Sequence, residues 1–326
     1  MQSASSNIIE MHDVERRFGG DTGVFDLNIA VPSGTIFGMI GPSGSGKTTT
    51  TRLMVGLYKP DKGEIRVMGQ VPSKFSNRAR ERLGYMPQQF VLYPNLTVEE
   101  NLNFIGSLYG LSYRARHRRI TQLLDFVELS DARKRLGNDL SGGMKRRLEL
   151  AGSLLHEPTI LFADEPTAGI DPVLRGKFWN AFRDLRDQGR TLFITTQYVG
   201  EAAYCDFVGV MRDGRLLFID TPDGLRRRAL GGEVLQFVVD PQHVREAARL
   251  LYQHPLVNDV RISRSEPGVL QAYVETAAQA LPVLIPLFDN HPSVNLKQAE
   301  EFRPSFDDVF IMLMERIDQQ AEQNNV

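Results

Sequence analysis

One loop accounts for most of what this sequence predicts, and it reads Gly41-Pro42-Ser43-Gly44-Ser45-Gly46-Lys47-Thr48-Thr49. Its spacing of glycines, followed by Lys and Thr, matches a complete phosphate-binding loop. The glycines let the backbone turn its N–H groups inward towards phosphate oxygens. We expect Lys47 to reach the β- and γ-phosphates of a nucleotide and the Thr48 hydroxyl to reach Mg²⁺. The apolar run Thr35–Ile40 predicts a buried strand before the loop, and Thr48–Leu57 predicts the helix after it.

A second chemical signal is a pair of carboxylates that directly follows an apolar run. The run Thr159–Ala163 predicts a strand, and Asp164 and Glu165 come at its end. In an open α/β sheet, the carboxyl ends of the strands are where ligands bind. We therefore expect Asp164 to hold Mg²⁺ and Glu165 to polarise the water that attacks the γ-phosphate.

The composition narrows the class of protein. The chain has 326 residues, 42% of them hydrophobic, which is enough for a buried core and two domains. A net charge of -2 speaks against bulk nucleic-acid binding, and we expect no nucleic-acid partner. The one cysteine, Cys205, excludes an intramolecular disulfide and is expected to be a buried filler. No apolar run reaches the roughly 18 residues of a membrane span, so a membrane role would require a partner.

Between the loop and the carboxylates lies the segment Leu140-Ser141-Gly142-Gly143-Met144. Ser141 is expected to cap a helix whose first N–H groups are unpaired, and the two glycines leave that backbone bare. This makes a second anion site, one more than a single nucleotide pocket needs.

The segment Leu140–Met144 resembles the signature motif of ATP-binding-cassette (ABC) ATPases. In that family two subunits pair head to tail, and each signature closes over the ATP held by the other. The resemblance implies a homodimer, or a pseudo-dimer with a second cassette, that binds ATP and Mg²⁺ as cofactors. In it, Ser141, Gly142 and Gly143 contact the nucleotide.

Further segments follow the order of the same family. Gly84–Gln88 is similar to its glutamine loop, which implies that Gln88 approaches Mg²⁺ and the attacking water; Gln89 is adjacent, so the register is open by one residue. Phe18 matches the aromatic residue that stacks on adenine; the alternative is a core aromatic at a strand end. The segment that ends in Asp171 resembles the loop through which the two subunits touch.

The sequence departs from the family at one position. A histidine usually follows the next strand, where it contacts the γ-phosphate, but here the strand Thr191–Thr196 is followed by Gln197, and none of the six histidines belongs to this loop. A glutamine amide donates a hydrogen bond through its N–H, but it can neither take up a proton nor become charged. Two outcomes are open: Glu165 alone sustains turnover at a reduced rate, or the subunit hydrolyses slowly and works mainly as an ATP-driven clamp.

The order of predicted elements divides the chain near residue 230. Residues 1–230 predict an α/β fold, which the resemblance identifies as a P-loop NTPase (RecA-like) core with a helical subdomain over about 90–148. Thr97 and Glu100 predict a capping box at the entry to this subdomain. Residues 231–326 predict the β-α-β-β-α-β order of a ferredoxin-like α+β domain, closed by an amphipathic helix over Ser305–Ile317. The segment Pro304–Phe310 resembles the C-terminal extension of ABC ATPases of the daunorubicin-resistance type. There it steadies the dimer or contacts the permease; a passive packing module is the alternative.

A basic run in the helical subdomain, Tyr113–Arg119, has two interpretations. It is a solvated helix face, or it lies near anionic lipid headgroups or an acidic segment of a membrane partner.

The resemblance implies the ATP-binding and ATP-hydrolysing subunit of a membrane exporter. Such a subunit acts in the cytoplasm, peripheral on the inner face of the cell membrane, and powers a separate integral-membrane permease through ATP-driven dimerisation. Two alternatives are a soluble ABC-type protein that acts on nucleic acid or ribosomes, and a weakly hydrolysing ATP-binding regulator. The first usually carries two cassettes, coiled-coil insertions or a strongly basic surface, which this sequence lacks. The weakly hydrolysing regulator stays an alternative because Gln197 replaces the usual histidine.

Overall fold

The computed structural model describes residues 7–20, 22–263, 266–289, 291 and 293–324. Contacts divide the chain into two compact units, Met1–Asp220 and Thr221–Val326, called here the N-terminal and the C-terminal unit. The boundary expected at residue 230 stays a prediction about which residues fold on their own.

Within the described part of the N-terminal unit, nine strands form one sheet. They are β1 (Asn7–Gly19), β2 (Thr22–Pro32), β3 (Ile36–Ile40), β4 (Lys62–Val67), β5 (Leu83–Met86), β6 (Ile160–Asp164), β7 (Thr191–Thr196), β8 (Phe207–Arg212) and β9 (Arg215–Asp220). Their order across the sheet is β4-β1-β2-β9-β8-β3-β7-β6-β5. Strands β3, β7, β6 and β5 are parallel neighbours, whereas β1 pairs antiparallel with β2 and β4. Every residue of β3, β6 and β7 is buried, as expected for parallel strands covered on both faces. The carboxyl ends of these three strands therefore meet at one edge, where the predicted motifs begin.

The helices of this unit connect the strands. They are α1 (Lys47–Met54), α2 (Asn77–Arg80), α3 (Val98–Leu108), α4 (Tyr113–Phe126), α5 (Gly142–Leu154) and α6 (Pro172–Asp187). Helix α1 ends before the predicted Leu57 because Gly56 takes a φ of +82°, a left-handed conformation typical of helix ends. At the entry to α3, Thr97 and Glu100 form the predicted capping box.

The C-terminal unit has the predicted element order. It contains α7 (Pro222–Leu230), β10 (Glu233–Val239), α8 (Val244–Tyr252), β11 (Val257–Ile262), β12 (Val269–Val274), α9 (Ala277–Asp289), β13 (Leu296–Phe302) and α10 (Phe306–Asn324). Its antiparallel sheet has the order β11-β12-β10-β13, which confirms the ferredoxin-like arrangement. Phe306, Val309 and Leu313 lie buried on one face of α10, as the amphipathic pattern predicted. Among the described residues, no helix is both long and apolar enough to cross a membrane.

Candidate functional site

The phosphate-binding loop joins β3 to α1, as predicted. Gly46 precedes α1 with a φ of +103°, and a Cβ there would lie 2.7 Å from both Met211 Cε and Val24 Cγ1. Glycine is therefore required by both the backbone conformation and the close packing. Within the loop, Ser45 is buried, whereas the other members between the terminal glycines are exposed: Pro42, Ser43 and Gly44.

Lys47 lies at the centre of this loop with its ammonium group buried. Its Nζ donates hydrogen bonds to the carbonyl oxygens of Gly41 at 2.8 Å and Pro42 at 2.9 Å, and it lies 3.7 Å from Glu165 Oε1. Burial lowers the pKa of Lys47, and the nearby Glu165 and Asp164 carboxylates act in the opposite direction. The ammonium is thus held between the loop and the two carboxylates, where it can meet a phosphate group.

Asp164 provides a donor set that fits Mg²⁺. Its Oδ1 accepts hydrogen bonds from Thr48 Oγ1 at 3.1 Å and from Thr195 Oγ1 at 2.5 Å. Its Oδ2 is buried and has no hydrogen-bond partner within the described part of the chain. A buried carboxylate oxygen without a donor, beside a hydroxyl, matches the oxygen ligands that Mg²⁺ takes together with nucleotide phosphates. Thr49, the next residue after Thr48, is half-buried in the first turn of α1.

Glu165 is held in an unusual backbone conformation next to this set. Its φ is +48°, which is uncommon for a residue other than glycine. Its N–H donates to both the carbonyl oxygen and the Oγ1 of Thr195, each at 3.0 Å. Gln88 Nε2 donates to Glu165 Oε2 at 3.2 Å. The structure therefore brings the glutamine loop, the lysine and the second carboxylate together, and the chemical roles predicted for Gln88 and Glu165 stay predictions.

The predicted second anion site lies at the start of α5. The Ser141 side chain accepts a hydrogen bond from Met144 N at 3.3 Å, which confirms the expected cap. Ser141 and Gly142 are exposed, and a Cβ on Gly142 would meet nothing within 4 Å. Gly143 is tighter, because a Cβ there would lie 2.8 Å from Leu174 Cδ2. The bare backbone expected here is thus present, and its contact with a nucleotide stays a prediction.

Asp171 is the exposed N-cap of α6. Its Oδ1 accepts a hydrogen bond from Leu174 N at 2.9 Å, and this backbone donor lowers the pKa of Asp171. Among the described residues, none of the hydrogen bonds of Asp171 or Ser141 runs to the phosphate-binding loop. Both residues are exposed, and their contacts with a second subunit and with a nucleotide stay predictions.

Two more predicted site residues lie at exposed positions. Phe18 is 48% exposed, with its ring centre 5.4 Å from that of Tyr58 and 5.3 Å from the Arg16 guanidinium carbon. It is not a core residue, and its contact with adenine stays a prediction. Gln197 is exposed directly after β7, before Tyr198, whose N–H donates to Thr196 Oγ1 at 3.0 Å.

Arg146 is a connecting residue that the sequence did not single out. It is buried in α5, where Nη1 donates to Pro87 O and Glu149 Oε2, both at 2.9 Å, and Nη2 donates to Glu165 O at 3.1 Å. Glu149 Oε1 in turn accepts from Val91 N at 3.1 Å, while burial raises the pKa of Glu149 and Arg146 opposes this rise. The sequence signal was the spacing of Arg146 and Glu149, three positions apart on a helix.

The basic run on α4 is divided between paired and exposed side chains. Arg116 donates to the Ser107 hydroxyl, and Arg119 Nη1 lies 3.5 Å from Glu157 Oε1. Arg114 and Arg118 are exposed. Both interpretations of this run therefore stay open.

Cys205 is buried and its pKa is raised by that burial, as expected for a filler.

Comparison with known proteins gives the class of this chain. An ABC transporter family model matches residues 24–168. The probable multidrug ABC transporter ATP-binding protein YbhF of Escherichia coli is 41% identical over 226 residues, 69% of this chain and 39% of that protein. The chain thus spans well under half the length of this relative. The daunorubicin/doxorubicin resistance ATP-binding protein DrrA of Streptomyces peucetius is 35% identical over 316 residues, 96% of this chain and 94% of that protein.

The architecture also matches solved structures. A dimeric ATP-binding cassette in a post-hydrolysis state, bound to ADP and Pi, aligns with a TM-score of 0.61 and 25% identity, covering 65% of this chain and 98% of that chain. The resemblance seen in the motifs is therefore confirmed in both sequence and structure. The chain belongs to the ATP-binding subunits of ABC transporters, and it is an ATP-binding ATPase of that family.

Proposed function

We propose that this ATPase powers a membrane exporter as a homodimer on the cytoplasmic face of the cell membrane, where it drives a separate permease. The names of the similar proteins, a probable multidrug transporter subunit and a daunorubicin/doxorubicin resistance subunit, support export. The observation that carries the proposal is that Lys47 and Gln88 both approach the Glu165 carboxylate. One of its carboxylate oxygens lies 3.7 Å from Lys47 Nζ, and the other accepts the hydrogen bond from Gln88 Nε2 at 3.2 Å.

In the proposed reaction, the loop N–H groups and Lys47 bind the phosphates of ATP, and Glu165 accepts a proton from the attacking water. Thr48 and Asp164 would hold Mg²⁺, with Gln88 nearby. When bound, Mg²⁺ neutralises charge on the β- and γ-phosphate oxygens. Thr195 holds both residues, since its hydroxyl donates to the Asp164 carboxylate and its carbonyl oxygen accepts from the backbone N–H of Glu165. The Gln197 amide, at the end of the neighbouring strand, would donate to the γ-phosphate.

The dimer is proposed from the exposed helix starts. The exposed N-terminus of α5 at Ser141 can offer unpaired N–H groups and a positive helix dipole to an anion on a second molecule. Asp171 at the start of α6 would contact the second subunit. The ATP site of one copy would thus be completed by the signature segment, Ser141–Gly143, of the other copy.

The permease is proposed to dock in a groove between the sheet and the helical subdomain. This cavity has a volume of about 510 Å³, and apolar side chains line it from both sides, among them Val55, Phe75 and Ile105. Leu108 lines the same cavity although it is 70% exposed. An apolar surface of this kind is typical of a protein interface. Pro87, next to Gln88, also lines the cavity, so an inserted permease segment would lie beside the glutamine loop.

The first experiment measures Mg²⁺-dependent ATP turnover of the purified chain beside Glu165→Gln and Gln197→His. We expect turnover that disappears in Glu165→Gln, whose ATP-bound form should elute as a dimer in size-exclusion chromatography. The control is Glu157→Gln, which changes a carboxylate on the surface. No turnover in the unchanged chain, restored by Gln197→His, would instead favour the weakly hydrolysing regulator. Turnover that survives Glu165→Gln would refute the proposed role of Glu165.

The permease contact has its own test. Leu108→Asp should abolish co-purification of an integral-membrane permease in mild detergent while it leaves ATP turnover of the isolated chain unchanged. The control is Phe126→Asp on α4, because Phe126 is exposed but does not line the groove. Retention of the permease by Leu108→Asp would rule out the groove as the docking site.

A further inference from the structure

The loop that follows β7 packs along one face of α6. Arg175, Trp179 and Arg183 are spaced four residues apart on this helix, so their side chains share a face. The Trp179 ring stacks on Tyr204 with centres 5.1 Å apart, and the Arg183 guanidinium carbon lies 5.6 Å from the same ring. Nearer the start of the helix, the Arg175 guanidinium carbon lies 4.1 Å from the centre of the Tyr198 ring. The helix therefore contacts the loop at both ends.

Glu201, in the same loop, is a buried acid with an unusual environment. Its side chain is 3% exposed, and Arg175 Nε lies 3.5 Å from its Oε1. Within the described part of the chain, neither carboxylate oxygen of Glu201 has a hydrogen-bond partner, and the same is true of Arg175 Nε. A buried ion pair without such bonds is weak as a stabilising element, because the loss of hydration offsets the attraction. The pair is thus better explained by what it positions than by stability.

The pair is connected to Gln197 through the backbone. Glu201 N donates to Tyr198 O at 3.0 Å, and Tyr198 N donates to Thr196 Oγ1 at 3.0 Å. Gln197 lies between Thr196 and Tyr198, so both of its neighbours are fixed. A glutamine side chain has several rotatable bonds and no charge to orient it. The proposed hydrogen bond from the Gln197 amide to the γ-phosphate therefore depends on how firmly the Gln197 backbone is held.

The other end of the pair is connected to the start of α6. Arg175 N donates to Asp171 O at 2.9 Å in the first helical turn, and Asp171 is the N-cap of this helix. A displacement of Asp171 therefore moves Arg175, and with it the loop.

We propose that Arg175 and Glu201 are positioning residues for Gln197. The ion pair and the stacked Tyr198 ring hold the Gln197 amide in place, and they transmit contact of a second subunit at Asp171 to that amide. The proposal rests on the γ-phosphate role proposed above for Gln197.

The test is a double-mutant cycle on Mg²⁺-dependent ATP turnover by the full chain, with its permease where turnover requires one. Glu201→Gln should lower kcat by about 10-fold or more, since small misplacements of a catalytic group have effects of this size. The KM for ATP should stay within about twofold, because the pair does not contact the phosphate-binding loop. In a Gln197→Ala background, Glu201→Gln should cause no further loss, whereas a general weakening of the fold would lower kcat in both backgrounds. The control is Lys177→Met, which removes an ion pair to Glu128 from the same helix and should leave kcat unchanged.

Each result decides the proposal. Additive losses from Glu201→Gln and Gln197→Ala would overturn it while the proposed ATPase site stands. If Gln197→Ala has normal turnover and Glu165→Gln has none, the role of Gln197 is wrong and the inference falls with it. If Glu201→Gln does not fold, Arg175→Lys decides, because lysine keeps the positive charge but not the planar group that stacks on Tyr198. Normal kcat in folded Arg175→Lys would then refute the proposal, and a lowered kcat with unchanged KM would support it.

Discussion

Thr195→Val should destabilise the N-terminal unit through the loss of two buried hydrogen bonds. Thr195 Oγ1 donates to Asp164 Oδ1 at 2.5 Å and accepts from Glu165 N at 3.0 Å, and the residue is fully buried. A hydrogen bond to a charged group contributes about 1.5–3 kcal/mol, and a neutral one about 1 kcal/mol. Glu165 N keeps its bond to the Thr195 carbonyl oxygen, so the second loss is partial. We therefore expect a decrease of about 2–3 kcal/mol in the free energy of unfolding.

The matched control is Thr191→Val at the start of the same strand. Thr191 is also buried, but its Oγ1 accepts a hydrogen bond from the neutral Gly34 N at 2.9 Å. This variant should lose about 1 kcal/mol. Urea unfolding is followed by the fluorescence of Trp179, the one tryptophan of the chain, which is buried in the N-terminal unit and therefore reports on that unit. Equal losses in the two variants, or no loss in Thr195→Val, would refute the reasoning.

The same variant bears on the magnesium site. Without the Thr195 hydroxyl, Asp164 loses one of the two donors that fix its Oδ1. A less constrained carboxylate is a weaker ligand, so the Mg²⁺ concentration for half-maximal ATP turnover should rise in Thr195→Val and not in Thr191→Val. An unchanged Mg²⁺ requirement in both variants would mean that Thr195 does not orient the ligand.

Three further predictions concern binding, packing and pH. Lys47→Ala should abolish nucleotide binding in calorimetric titration, and retained micromolar affinity would contradict the phosphate-loop assignment. Gly38→Ala should cost about 1–3 kcal/mol in the urea titration, because a Cβ would lie 2.4 Å from Cys205 Sγ, and Cys205→Ala should recover part of this loss. Arg133→Met should destabilise the chain at neutral pH and less so well below pH 4.5, the ordinary pKa of a glutamate. The hydrogen bond from Arg133 lowers the pKa of Glu99 in the folded chain. The ion pair therefore stabilises the fold above the unfolded-state pKa of Glu99, and this stability is lost as the pH falls through the lower, folded-state pKa. An equal loss at both pH values would exclude the Arg133–Glu99 pair as the cause.

Motifs that are continuous in sequence were predictable because each carries its geometry in a few adjacent residues. Ser141 and Thr97 cap the helices that their spacing indicated, since an N-cap needs only the next turn of chain. The β-α-β-β-α-β order of the C-terminal unit was likewise visible, because apolar periodicity changes at each element. Helix ends were less certain: α10 continues to Asn324, beyond the predicted Ile317, where the polar sequence gives no stop signal.

Contacts between distant segments were not predictable, because no local pattern encodes them. Arg146 stands between two other basic residues, Lys145 and Arg147, and nothing in that local sequence indicates that it is buried against Pro87 and Glu165. Glu201 looked like an ordinary polar residue of a loop, and its burial beside Arg175 depends on how β7 and α6 are brought together. Both cases are charged side chains whose partners lie on another element, so their burial follows from the tertiary fold.

Glu165 shows why these distant contacts matter for the proposed cycle. Its left-handed φ of +48° carries a backbone strain of about 1–3 kcal/mol, and the conformation persists because neighbours hold it from both sides. Thr195 binds its N–H, and Arg146 of α5 binds its carbonyl oxygen. The same Arg146 binds the carbonyl oxygen of Pro87, directly before Gln88. A movement of α5 should therefore displace the proposed base and the glutamine loop together. The proposed catalytic carboxylate and the glutamine loop beside the proposed permease groove are thus not free to move independently. If both proposals hold, this shared anchor is a physical route by which ATP binding and permease motion can be coupled.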